Sequence, residues 1–308
     1  MKINTPLTVP FAQRGEFRDN YRLATKGTGR LMLFAGDQKI EHLNNDFCGP
    51  KVHTDDNDPE HLFRIANTSQ IGVFAAQLGL LAAYGADYNK IPYLVKLNSK
   101  TDLVPADTAD PLSRFLSTVE QVMEFKKSSK LKIVGIGLTL YPGSEHEAEM
   151  LSTAGQAITA AHQAGLLAVV WMYPRGKAVK NEKDSHLIAG CAGIAACLGA
   201  DFVKLNYPKT ATKPKIEEVI KAAGRTGVIF SGGESAEAAG FLQQLETQIS
   251  WGARGNATGR NIHQYSDAEG ARMADAIAAI SLYGRDAEQA HRIFLGEKLK
   301  KKSVFSKK

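Results

Sequence analysis

The residues Ala200-Asp201-Phe202-Val203-Lys204-Leu205-Asn206-Tyr207-Pro208 read as a short apolar strand interrupted by one lysine. Alternation along a strand puts Phe202, Lys204 and Asn206 on one face, and Val203 and Leu205 on the other. If both faces are covered, the ammonium is buried, which costs several kcal/mol unless it is ion-paired or loses its proton. Two readings stay open for Lys204: a structural ion pair, with Asp37 or Glu234 as partner, or an amine nucleophile. An ordinary lysine has a pKa of about 10.4, so fewer than about one in a thousand is neutral at pH 7. Lowering it to about 7 by burial and a neighbouring cation makes half of them neutral, at a cost on the order of 4–5 kcal/mol. Lys96, inward on its own strand Tyr93–Leu97, is the candidate cation.

A second chemistry is suggested by two glycine segments, Ser231-Gly232-Gly233-Glu234 and Gly255-Asn256-Ala257-Thr258-Gly259-Arg260-Asn261. Glycines let backbone N–H groups approach an anion, a following helix presents its positive end, and Arg260 offers a forked pair of donors to phosphate oxygens. The alternative is two plain turns and a surface arginine. The eight histidines scatter over loops and helices without metal-ligand spacing, so neither a metal nor any other cofactor is expected. Cys48, Cys191 and Cys197 are few and unpatterned, as suits reduced thiols in small buried niches.

These groups need a scaffold, and the chain repeats one. Apolar runs at 31–36, 71–75, 93–97, 131–138, 166–171, around Lys204, 227–231 and 249–255 alternate with helical segments. Helix starts are read at Asp58-Pro59, Asp110-Pro111 and the pairs Ser144/Glu147 and Ser266/Glu269. Eight such units, with strands apolar on both faces, predict a single α/β domain, a (β/α)8 barrel of about 250 residues. The rival, a doubly wound open sheet, lacks its Gly-x-Gly-x-x-Gly turn here. Residues 1–30 are expected to be an N-terminal extension packed on the barrel, 31–290 the barrel, and 291–308 a basic tail. Barrels carry their chemistry at the C-terminal strand ends, with phosphate after strands seven and eight. The polar residues fall there: Asp37 after strand one, Lys96 in three, Tyr173 and Arg175 after five, Lys204 in six, and the two glycine segments after seven and eight.

The 308 residues are 44% hydrophobic and 23% charged, an ordinary globular composition. The net charge of +6 and pI near 9.0 come from Lys298, Lys300, Lys301, Lys302, Lys307 and Lys308. A basic end on a neutral body argues against a nucleic-acid partner. No apolar run approaches the roughly 18 residues that span a bilayer, and 1–10 lacks a secretory layout, so no membrane partner and a cytoplasmic location are expected.

The ordered set Gly36-Asp37-Gln38-Lys39-Ile40-Glu41-His42, Leu94-Val95-Lys96-Leu97-Asn98, Tyr173-Pro174-Arg175-Gly176, Val203-Lys204, Ser231-Gly232-Gly233 and Gly259-Arg260-Asn261 resembles the archaeal-type class I fructose-bisphosphate aldolases of the DeoC/LacD superfamily. The resemblance spans 31–282. It implies reversible cleavage of fructose 1,6-bisphosphate to glycerone phosphate and glyceraldehyde 3-phosphate through a Schiff base on Lys204. It further implies proton transfer by Tyr173, hydroxyl binding or proton transfer by Asp37, and a substrate- and phosphate-binding set of Lys96, Ser231, Gly232, Gly233, Gly259 and Arg260, the last five holding the C1 phosphate. A related transaldolase or synthase making aromatic-amino-acid precursors, or a thiolase-like lyase, would use the same barrel. The resemblance also implies a homo-oligomer, such as a pentamer or decamer. Lys39 departs from the glycine common at its position, which adds a charge near the substrate.

Overall fold

The structure, a computed structural model, describes residues 3–234 and 236–298. Eight strands carry residues that are nearly all buried, as strands must be when helices cover one face and a barrel core the other. They are β1 (Leu31–Ala35), β2 (Val73–Gln77), β3 (Tyr93–Lys96), β4 (Ile133–Leu140), β5 (Leu167–Met172), β6 (Phe202–Leu205), β7 (Gly227–Ser231) and β8 (Gly255–Thr258). All pair in parallel with their sequence neighbours, and β8 returns to β1 to close the barrel, with Leu31 opposite Gly255 and Phe34 opposite Thr258.

The core divides by alternation. Leu31, Leu33, Val73, Leu94, Val169, Trp171, Phe202 and Ile229 form an inner cluster, while Met32, Phe34, Val170, Val203, Leu205 and Phe230 pack outward against the helices. Phe202 inward with Val203 outward fixes Lys204 as inward, and Leu94 does the same for Lys96. Gly137 on β4 makes room for the Trp171 ring and the Lys96 stem. A Cβ there would lie 2.8 Å from the Trp171 ring and 3.0 Å from the Lys96 stem.

The N-terminal segment contains a helix, Arg14–Ala24, that closes the barrel's lower mouth. Val9, Phe17 and Ala24 are fully buried in the inner cluster, Tyr21 stacks on Phe202 at 5.7 Å, and Asn20 donates to the Gly165 carbonyl at 2.9 Å.

Three expectations are corrected. Ser144 and Glu147 do not form a capping box: the helix begins at Glu147 itself, after His146 and without a side-chain cap. The eighth strand is not 249–255: Ile249 and Ser250 end the helix Ala238–Ser250, and the strand begins at Gly255. Asp110-Pro111 does not open a helix. Residues 98–115 instead form a small hairpin pairing Asn98–Ser99 with Arg114–Phe115, and the helix starts at Val119 under a Thr118/Gln121 capping box. The Asp110 carboxylate accepts from Lys177 N at 2.7 Å and Glu145 N at 2.8 Å, tying two neighbouring loops together. At the other end, Ala287–Phe294 forms a helix, so the first residues of the basic segment are helical; residues 299–308 lie outside the described part.

Candidate active site

At the C-terminal pole lies a cavity of about 740 Å³, and Asp37, Tyr173, Lys204, Ser231, Gly232, Gly233, Gly259 and Arg260 all line it. Lys96 does not. It sits one layer below, 1% exposed, where its Nζ donates to Asp37 Oδ2 at 3.1 Å and Thr139 Oγ1 at 2.6 Å. Asp37 therefore has its short ion pair with Lys96. Among the described residues, no carboxylate lies within 4.0 Å of the Lys204 amine, although Lys204 is only 3% exposed. Its amine instead lies 5.1 Å from the centre of the Trp171 ring, whose other contact of this kind is Lys96 at 4.8 Å.

Burial pulls the Lys204 pKa down to about 8, the Asp37 carboxylate pulls it back in part, and the Lys96 charge pushes it down again. At pH 7 roughly one such amine in ten is neutral. Burial pushes the Asp37 carboxyl up, but Lys96 and Lys204 outweigh it and hold it below the ordinary carboxylate value. The site thus holds one negative charge between two lysines, only one of which faces the cavity.

Tyr173, just beyond β5, is half-buried at the rim. Burial, followed by the negative charges of Glu41 and Asp37, raises its phenol well above 10. It is a protonated phenol while the lysine is free. Glu41 is held from below by Tyr141, whose hydroxyl donates to Oε1 at 2.9 Å, and faces Arg175 at 3.8 Å. Arg175 makes its closer ion pair with Glu182, at 3.0 Å.

The two glycine loops meet across β7 and β8. Gly233 has φ +72 with open space where a Cβ would project, so the chain turns there in a conformation suited to glycine. At Gly259 a Cβ would fall 1.8 Å from Gln38 Oε1 and 3.0 Å from the Ala35 carbonyl. Asn261, buried, clamps the loops: its Nδ2 donates to the carbonyls of Gly232 (3.1 Å) and Glu234 (2.9 Å), and its Oδ1 accepts from Ala236 N at 2.9 Å. The Gly232 N–H is used within the barrel, donating to Ala257 O at 3.0 Å. The helix Ala238–Ser250 is already capped by the Glu237 carboxylate. Donors for an anion therefore come from Gly233, Gly259 and Arg260, whose N–H groups have no acceptor among the described residues, and from the Arg260 guanidinium. Asn261 stood within a recognised segment without a role, because nothing local reveals that it bridges to a loop some thirty positions earlier.

Lys39 turns away from the cavity. Its amine donates to the carbonyl of Asn57 at 3.0 Å and lies 4.2 Å from the Phe47 ring centre, so its charge fastens the long loop after β1. Two groups bring a histidine and two carboxylates together, Glu41/His42/Asp102 and Asp55/His61/Asp267. Both are engaged internally: His42 with Asp46, Asp102 with Lys100 at 2.7 Å, and Asp267 with His61 at 2.5 Å and Arg64 at 2.7 Å. No helix among the described residues is long and apolar enough to cross a membrane.

A fructose-bisphosphate aldolase/6-deoxy-5-ketofructose 1-phosphate synthase of Methanocaldococcus jannaschii is 55% identical over 298 residues, 96% of each chain. A class 1 fructose-bisphosphate aldolase of Thermoproteus tenax is 34% identical, covering 83% of this chain and 90% of its own. Among solved structures, a fructose-bisphosphate aldolase of Slackia heliotrinireducens superposes with TM-score 0.96 at 49% identity, covering 99% of this chain and 98% of that one. An archaeal fructose-1,6-bisphosphate aldolase, solved with its catalytic lysine covalently bound to the carbinolamine intermediate, gives 0.74 at 30% identity over 86% of this chain and 99% of that one. The signature of the DeoC/LacD family aldolases matches residues 31–265, so the chain belongs to the DeoC/LacD family of aldolases.

Proposed function

We propose that the protein is a class I aldolase acting on fructose 1,6-bisphosphate through a Schiff base on Lys204. The observation that carries this is the buried, cavity-facing Lys204 amine with its pKa near 8, beside Asp37 and a loop pair built for an anion. The amine lone pair attacks the ketose carbonyl to give a carbinolamine, and loss of water gives a protonated imine. Tyr173, protonated while the lysine is free, donates the proton that lets water leave. The cationic imine then lowers the phenol's pKa. Now able to act as a base, Tyr173 takes the C4 hydroxyl proton as the C3–C4 electron pair moves into the imine. The aldehyde leaves, the enamine is protonated at C3, and hydrolysis returns the free amine. Asp37, held ionised by Lys96, accepts hydrogen bonds from substrate hydroxyls. Gly233, Gly259 and Arg260, with Ser231 and Gly232 shaping the turn, hold the C1 phosphate, and that remote binding aligns the carbonyl with the amine.

A second reading is favoured by the double name of the M. jannaschii relative. The same enamine would be captured by a three-carbon 2-oxoaldehyde without phosphate, giving a 6-deoxy-5-keto sugar phosphate. Both readings share the lysine and the C1 phosphate and differ only in the acceptor. Borohydride reduction in the presence of fructose 1,6-bisphosphate, followed by peptide mass mapping, tests the shared chemistry. An adduct on Lys204 is expected; an adduct on Lys96, or none, refutes it. Supplying each aldehyde to the preformed enamine separates the two acceptors.

A further inference from the structure

We propose that Asp46 and His42 set the strength of the anion site at Arg260. Asp46 is the standing counter-ion of the guanidinium, and His42, by pairing with Asp46, cancels part of the negative charge that an incoming phosphate must face. This rests on the assignment of Arg260 to phosphate. Arg260 Nη1 lies 3.6 Å from Asp46 Oδ1, beyond hydrogen-bond distance, and its Nε is buried without an acceptor among the described residues. The guanidinium is therefore neutralised by Asp46 at a distance that makes no hydrogen bond to Nη1, which leaves the Nη donors for a ligand. The other carboxylate oxygen of Asp46 is hydrogen-bonded to His42 Nδ1. His42 and Arg260 both line the cavity.

The backbone at Asp46 is anchored on both sides. Its carbonyl accepts from Gln264 Nε2 at 2.8 Å, and Phe47 is held between the Lys39 amine and the His263 ring, stacked at 4.6 Å and 6°. A phosphate bound at Arg260 thus stays close to the carboxylate, and the His42 proton is what compensates it. The charged groups around His42 are Glu41 and Asp46 on its own segment and Arg260 after β8. Asp102 stands 3.9 Å from Nε2 with Lys100 attached, and Arg175 lies beyond Glu41. Burial favours the neutral ring, but the Asp46 hydrogen bond and charge outweigh it and raise its pKa.

The test is calorimetric titration of inorganic phosphate into the full-length protein. Asp46→Asn should bind phosphate more tightly, on the order of tenfold, because a fixed negative charge is removed. His42→Gln should bind more weakly at pH 6, by several-fold on the same scale, and its difference from the unmodified protein should shrink as pH rises to 9 and the histidine loses its proton. The double variant should follow Asp46→Asn. Opposite signs for the single variants distinguish charge balance from a merely structural role, in which both would weaken binding. If both weaken it, or Asp46→Asn has no effect, while Arg260→Gln abolishes it, the inference fails and the phosphate assignment stands. If Arg260→Gln leaves phosphate binding unchanged, both fail.

Discussion

Replacing Lys204 by methionine should abolish Schiff-base formation and make the protein more stable. The amine is 3% exposed and its pKa is drawn from 10.5 to about 8, chiefly by burial. Below pH 8 the chain must fold with a charged amine that the interior disfavours, and that gap corresponds to about 3 kcal/mol at 25 °C. Methionine has nearly the same length and no charge to desolvate. Asp37 loses one of its two positive neighbours but keeps Lys96 at 3.1 Å, so most of the gain should survive. The expected gain is about 2–3 kcal/mol, or roughly 5 °C in melting temperature at equal protein concentration. The sign of its pH dependence is fixed. A depressed lysine pKa means that the unfolded chain binds more protons between pH 8 and 10.5, so the unmodified protein recovers stability as pH rises through that window. The advantage of Lys204→Met should be full below pH 8 and vanish by about pH 10.5. Urea midpoints across pH 7–10.5 measure it. A variant no more stable than the unmodified protein, or a gain that does not change with pH, would show that Lys204 is not held in a charge-destabilised state.

Lys96→Met removes the only ion-pair partner that Asp37 has within 4.0 Å among the described residues, and should cost about 3 kcal/mol by leaving a buried carboxylate with only the more distant Lys204 charge to compensate it. It also removes a like charge from Lys204, so the pH profile of borohydride trapping should move upward; a downward or unchanged profile would contradict the assigned electrostatics. Tyr173→Phe should reduce turnover far more than trapping of the Lys204 adduct, and equal losses in both would remove Tyr173 from proton transfer. Gly259→Ala would force a methyl against the Ala35 carbonyl at 3.0 Å as well as the Gln38 side chain. It should raise KM for phosphorylated ketoses at least tenfold, on the order of a misplaced contact worth about 1.4 kcal/mol; an unchanged KM would exclude that loop from phosphate binding.

The barrel was legible because parallel strands buried on both faces stand out as unbroken apolar runs, and seven of the eight lay where the apolar runs are. The eighth was displaced because Gly255-Asn256-Ala257-Thr258 is scarcely apolar, whereas Ile249 and Trp251 are, and a short apolar run does not tell a helix end from a strand. Asp110 misled for a related reason: an aspartate before proline marks loops as readily as helix starts, and here its carboxylate serves two distant N–H groups.

The candidate site was legible as a set of residues at strand ends, and its pairings were not. Alternation points both Lys96 and Lys204 inward, and either could have taken Asp37. The choice depends on contacts across the barrel. Gly137 leaves space for the Lys96 stem, and Thr139 on the same strand receives its amine at 2.6 Å, which stations Lys96 against Asp37 below the cavity floor. Lys204 is then left near that pair, close enough to be acidified by Lys96 and without a carboxylate of its own. The same holds at Arg260, whose counter-ion Asp46 comes from the far end of the chain and is aimed by a loop with no periodicity to read. What makes the lysine available and the arginine receptive is in each case the neighbour that a distant segment does or does not supply.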